Sequence, residues 1–128
     1  MSLTVSPDLQ QQAQQGLVSD EDFIECIRES LPYAWSVVSG LVDEMRSSGG
    51  DFAGNQQVPP DDEAQGQLLR LVASDAMRNA VEQRYGVRLA FQNCCHVGLF
   101  TPEARDAYDA FVSPQAQLLN QRPELINC

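Results

Sequence analysis

The chain has 128 residues and a formal net charge of −10, and 43% of its residues are hydrophobic. This length suits one domain with a single core. The negative charge argues against binding to the phosphate backbone of nucleic acids and against docking on an anionic membrane. It favours another protein as the partner, one with a basic or amphipathic surface.

All eight basic residues are arginine, so no lysine is available to form a Schiff base or to act as a catalytic base. The first twelve residues, MSLTVSPDLQQQ, do not resemble a signal peptide, and no window of about 18 apolar residues predicts a membrane span. We therefore expect a cytoplasmic protein whose four cysteines are free thiols.

Three regions are predicted along the chain. Residues 1–18 are rich in glutamine, with a serine–proline helix start at Ser6 and a stop at Gly16, which indicates a flexible or marginally helical arm. A helical domain follows over residues 19–121. Residues 122–128 form a C-terminal tail whose apolar end could dock on the domain or on a partner.

The segment after Ser19 is strongly amphipathic. Three acidic residues follow that serine, as expected for the first turn of a helix. Apolar residues then recur at three- and four-residue spacing from Phe23 to Met45, which predicts helix. Because Pro32 interrupts this pattern, we predict either a kink or two helices over about 20–31 and 32–47.

The middle of the chain predicts a loop and then a helix. Residues 48–61 contain glycine, asparagine and two adjacent prolines without any periodicity, which indicates a long loop. A helix is predicted from Asp62 to Tyr85, with Gly86 in the position that follows a helix end. Ser74–Asp75 could mark a local break in it.

The hydrophobic period changes after residue 86. Apolar and polar residues alternate over 87–92, which is typical of a strand, and Val97, Leu99 and Phe100 could form a second strand. The two would make a hairpin with the cysteines near its turn, and a helix through 87–100 is the competing interpretation. Serine or threonine followed by proline begins two further short helices at 101 and 113. The predicted fold is a mainly α, single-domain bundle of four to five helices with one short extended or hairpin element near 87–100.

One stretch of the sequence could carry metal or redox chemistry, and it consists of Cys94, Cys95 and His96. A structural zinc site usually takes four ligands from two spaced pairs, whereas consecutive residues project in different directions, so Cys26 or Cys128 would have to complete it. A redox sensor could use the adjacent thiols with Cys26 or Cys128 as the resolving partner. The alternative is that the thiols pack as small hydrophobic side chains.

The sequence favours a non-enzymatic function. It lacks a phosphate-binding loop with its lysine, a calcium-binding loop, and a cluster of catalytic histidine or lysine residues. We therefore predict an acidic cytoplasmic protein–protein interaction module, such as an adaptor, assembly factor or regulator, that needs no cofactor or metal and could form a homo-oligomer. The residues predicted to contact the partner are aromatic or apolar and terminal: Tyr33, Trp35, Phe52, Leu125 and Ile126.

Two alternatives belong to other functional classes. The first is a thiol-based redox or metal-binding protein centred on the Cys94–Cys95–His96 stretch. The second is a small-molecule binder with a pocket lined by Trp35, Phe91 and Phe100.

Overall fold

The computed structural model describes residues 3–93 and 95–124. Within this part the chain forms seven helices and three strands, in the following order: α1 (Pro7–Gln14), α2 (Asp20–Ser30), α3 (Pro32–Ser48), β1 (Phe52–Asn55), α4 (Asp62–Ala73), α5 (Asp75–Tyr85), β2 (Arg88–Gln92), β3 (His96–Phe100), α6 (Arg105–Phe111) and α7 (Pro114–Leu119).

The predicted mainly α class is confirmed, and so is the hairpin near 87–100. The described chain has seven helices where four to five were predicted, partly because Ser74 divides the 62–85 segment. This serine is extended (φ −92°, ψ 113°), and its hydroxyl accepts a hydrogen bond from the Met77 amide. It therefore ends α4 and serves as the N-cap of α5.

Pro32 produces two helices rather than a kink. Leu31 leaves the helical region (φ −127°, ψ 61°), and Pro32 becomes the first residue of α3, where its missing N–H costs no hydrogen bond. Leu31 provides no side-chain cap for the amides that follow it. Their cap comes from α4, because Oε1 of the buried Gln67 accepts from the amides of Tyr33 (2.7 Å) and Ala34 (3.3 Å).

The three strands form one antiparallel sheet in the order β1-β3-β2. Phe52 pairs with Phe100 on one side of β3, and Arg88 pairs with Phe100 on the other. The β2–β3 turn includes Asn93 in the left-handed region at φ 51°, a conformation that asparagine tolerates. The competing prediction of a helix through 87–100 is therefore wrong.

The prediction of an irregular loop over 48–61 is wrong for residues 52–55, which form β1. Four residues are too few to show a reliable period in sequence. Their strand conformation depends on pairing with β3, which lies more than forty residues further along the chain.

Alternate strand residues face different layers of the molecule. Leu89, Val97 and Leu99 lie in the main core together with buried residues of α2 to α5. The following side chains contribute to this core: Ile24, Ile27, Leu31, Ala34, Val38, Leu41, Val42, Met45, Ala53, Leu68, Leu71, Met77, Val81 and Val87.

The opposite face of the sheet, which we call the outer face, is covered by α6. The ring of Phe111 lies 5.4 Å from that of Phe100 and 4.8 Å from that of His96. Gly98 makes this approach possible, because a Cβ atom there would lie only 2.9 Å from Cζ of Phe111. Among the described helices, none is long and apolar enough to cross a membrane.

Candidate functional site

The predicted partner-contacting residues do not form one patch. Tyr33 and Trp35 are half-buried on α3, and the Trp35 ring packs 5.9 Å from the ring of Tyr85 on α5. Phe52 is 43% exposed and packs instead on the outer face, 4.9 Å from the ring of Phe100. Leu125 and Ile126 lie outside the described residues.

The cysteines that the structure describes occupy separate environments. The thiol of Cys26 is buried on α2 and donates to the carbonyl of Thr4 at 3.4 Å. Cys95 is only 1% exposed, and Nη1 of Arg122 lies 3.9 Å from its sulfur. Cys94 and Cys128, the other two thiols of the predicted site, lie outside the described residues. Within residues 3–93 and 95–124, no group of three histidine, cysteine or acidic residues is placed to hold a metal ion.

His96 lies at the start of β3, beneath α6. It pairs across the hairpin with Gln92, whose Nε2 donates to the carbonyl of Phe111 at 2.5 Å. Burial lowers the pKa of His96, and the positive charge of Arg122 lowers it further. This histidine is therefore set to stay neutral at physiological pH.

A polar cavity of about 310 Å³ opens beside His96. Its walls include Asn93, whose Oδ1 accepts from Nε2 of Gln121 at 3.2 Å. Arg122 also lines the cavity, and it donates through Nη1 to the carbonyl of Gln56 at 2.7 Å. These bonds tie the segment after α7 to the hairpin turn and to the residue that follows β1.

The three residues of the predicted pocket, Trp35, Phe91 and Phe100, lie in different parts of the structure and do not form a pocket together. Trp35 packs on α5, Phe100 is buried on the outer face, and Phe91 lies at a groove along β2. No described cavity is lined by any two of these three aromatic residues.

A cleft of about 240 Å³ separates the N-terminal arm from α2 and is lined by four carboxylates. These are Asp8 of α1 and Asp22, Glu25 and Glu29 of α2, all of them exposed, and we call this surface the acidic cleft. Arg28 donates through Nε to Glu25 at 2.9 Å, and this hydrogen bond lowers the pKa of that carboxyl. The cleft therefore carries a net negative charge at neutral pH.

A second groove, of about 200 Å³, follows the edge of β2 that does not pair with β3. Leu89, Ala90 and Phe91 form its floor, and we call it the edge groove. Sequence reasoning missed it, because the alternation over 87–92 identifies a strand without showing whether that strand has one neighbour or two.

These elements define a small, mainly α protein built around a three-stranded antiparallel sheet. The whole chain, residues 1–128, matches the family described as NucS shadow ORF, and the protein belongs to that family. The family label also carries the letters KH, and its description names no activity. No curated protein and no solved structure matches the chain.

Proposed function

We propose that this protein is a non-enzymatic interaction module of the cytoplasm, acting as an adaptor, assembly factor or regulator. The acidic cleft is the observation that carries this proposal. Exposed carboxylates on α1 and α2 line a concave surface, and the whole chain has a net charge of −10. A partner with a basic or amphipathic surface is the ligand that this charge attracts.

The chemistry of the cleft favours arginine or lysine side chains from the partner. Asp22, Glu25 and Glu29 lie within two turns of α2, so a short basic helix or loop could contact all three. A guanidinium group can bind a carboxylate through two parallel hydrogen bonds, which adds geometric specificity to the charge attraction.

A nucleic-acid partner does not belong to this proposal, although a module that binds nucleic acid is also known by the letters KH. KH domains clamp the nucleotide backbone with a Gly-x-x-Gly loop. The eight glycines of this chain include no pair three residues apart, so that loop is missing. The charge of −10 also opposes binding to phosphates.

The proposal is tested by fluorescence anisotropy with a labelled amphipathic helical peptide that carries arginine on one face. We expect saturable binding at about 50 mM salt that weakens as the salt concentration rises. The triple variant Asp22→Asn, Glu25→Gln and Glu29→Gln should weaken binding by at least tenfold.

The matched control changes the net charge by the same amount at exposed positions elsewhere, with Glu63→Gln, Glu103→Gln and Asp106→Asn. We expect this control to retain most of the affinity. Equal losses in the two triple variants would show that net charge alone attracts the peptide, and the acidic cleft would then not be the binding surface.

A second candidate function is thiol-based redox or metal chemistry at the hairpin turn. Arg122 favours it, because a guanidinium group next to the Cys95 sulfur resembles the cationic surroundings of reactive cysteines. The burial of Cys95 opposes it, since an oxidant has to reach the sulfur. Fast labelling of the native protein by a thiol reagent, lost on Cys95→Ser substitution, would support this candidate over the interaction module.

A further inference from the structure

We propose that the free edge of β2 is a docking site for an extended, acidic and apolar segment of a partner protein, which adds a fourth strand to the sheet. This site is separate from the acidic cleft, and it selects the opposite charge. The two sites bind different peptides, so a negative result at one site does not decide the result at the other.

The backbone of β2 shows which groups are open to a new strand. The amide of Leu89 donates to Oε2 of Glu82 at 2.9 Å, so it points away from β3. In an antiparallel pair, residues two apart direct their amide and carbonyl groups to the same edge. The N–H and C=O of Phe91 and the C=O of Leu89 therefore face the edge groove, where an added strand would pair with them.

The walls of the edge groove suit the side chains of such a strand. Val72 and Arg78 form one wall at the α4–α5 junction, and the other is formed by Tyr108 of α6 and Val112, which follows that helix. Successive residues of an added strand would point alternately towards these two walls. Backbone pairing with pockets for alternate side chains is the way in which domains bind peptides by strand addition.

The charges at the edge groove define the occupant. The guanidinium carbon of Arg88, the first residue of β2, lies 3.5 Å from the centroid of the Tyr108 ring. Among the described residues, Arg88 takes part in no ion pair. Arg78 lines the groove on the other wall and is paired with the exposed Asp75. Arg88 does not line the groove itself, but it stacks on Tyr108, which does. A carboxylate of a segment that enters at this end would meet the unpaired charge of Arg88, and the site therefore selects an acidic segment.

A second copy of the chain is a poorer occupant than a separate acidic segment. Pairing two β2 edges offers Arg88 no carboxylate, because β2 itself (RLAFQ) contains no acidic residue. It would also bring together two chains that each carry a net charge of −10. A short acidic segment supplies that carboxylate, and it carries far less negative charge than a second copy, so the repulsion is smaller.

The probe is a labelled six-residue peptide that alternates valine with glutamate, and its binding is followed by fluorescence anisotropy and by the backbone amide shift of Phe91. We expect it to bind at least tenfold more tightly than a peptide alternating valine with lysine. Methylating every backbone nitrogen of the acidic peptide should also weaken binding at least tenfold, because strand pairing needs those amides.

The protein variant for this test is Val112→Glu, which places a carboxylate in the groove wall. Its matched control is Val58→Glu, which lies outside the groove. The two positions are comparable because Val112 is 48% exposed and Val58 is 43% exposed. We expect Val112→Glu to lower the affinity for the acidic peptide at least tenfold and Val58→Glu to change that affinity less than twofold. Circular dichroism should show that both variants are folded.

Four results would overturn the proposal. The first is equal binding of the acidic and basic peptides, and the second is unchanged binding of the methylated peptide. The third is a concentration-dependent dimer in sedimentation velocity that Val112→Glu dissociates, since this would make a second copy the occupant. Absence of saturable binding by the acidic peptide would likewise refute the docking site.

Discussion

Replacing Gln67 tests whether one buried amide side chain supplies the cap of α3. The side chain is 5% exposed, and its Oε1 accepts from the amides of Tyr33 and Ala34. Gln67→Met keeps a similar volume but removes the acceptor. It therefore separates the hydrogen bonds from the packing.

The expected cost follows from two amides that lose their partner. A typical hydrogen bond contributes about 1 kcal/mol, and a buried donor left unsatisfied costs about 1–3 kcal/mol. Loss of an N-cap costs about 0.5–2 kcal/mol in other helices. Since the Tyr33 amide has the shorter bond and lies at a half-buried residue, we expect Gln67→Met to lower the free energy of unfolding by about 2 kcal/mol.

The assay is urea unfolding followed by circular dichroism, with Gln83→Met as the control. Gln83 is exposed on α5, so the same chemical change there should alter the stability by less than about 0.5 kcal/mol. Gln67→Met is preferred to Gln67→Glu for this test, because glutamate would retain an acceptor but bury a carboxylate. If the free energy of unfolding of Gln67→Met lies within about 0.5 kcal/mol of that of the unsubstituted protein, α3 does not depend on this cap.

Three further predictions concern the sheet and the thiols. Gly98→Ala should lower the free energy of unfolding by about 1–3 kcal/mol, because its Cβ would collide with the ring of Phe111, and a Gly98→Ala variant of unchanged stability would contradict the close packing of α6 on the sheet. The control Gly40→Ala, whose Cβ would meet no atom within 4 Å, should stabilise helix α3. Because the pKa of His96 is lowered in the folded protein, the unfolded chain takes up a proton at a higher pH, so the folded state should keep its full stability above about pH 6.5 and lose stability below it. Thermal melts between about pH 7.5 and 5.5 should show a smaller fall in melting temperature for His96→Gln than for the unsubstituted protein, and an equal fall in both would refute this. In variants that keep only Cys26 or only Cys95, a thiol reagent should react slowly with the native protein and rapidly in denaturant, and fast native labelling would show that the thiol is accessible.

The parts of the fold that the sequence predicts well are those that local chemistry determines. Ser19 caps α2 through its hydroxyl, as its position before three acidic residues indicates. Pro32 separates α2 from α3 because its ring excludes the helical conformation at Leu31. Gly86 ends α5 in the left-handed conformation at φ 65°, which glycine adopts without strain.

The parts that the sequence does not predict depend on contacts between distant segments. The strand at Phe52–Asn55 exists because β3 pairs with it, and nothing in those four residues indicates the pairing. Gln67 caps a helix more than thirty residues away, whereas its sequence neighbours mark it only as one more polar position in α4. The edge groove has the same origin, since its walls come from α4, α5 and α6.

The two proposed binding surfaces explain why net charge alone is an incomplete guide to the partner. A total of −10 describes the field at long range, and that field falls off over about 8 Å at physiological salt. At contact distance the local groups decide. These are four carboxylates at the acidic cleft, and at the edge groove they are Arg78 in its lining and Arg88, which stacks on the lining residue Tyr108. Raising the salt weakens every attraction at the cleft. At the groove it also screens the repulsion between an acidic segment and the rest of the protein, so binding there should depend less on salt.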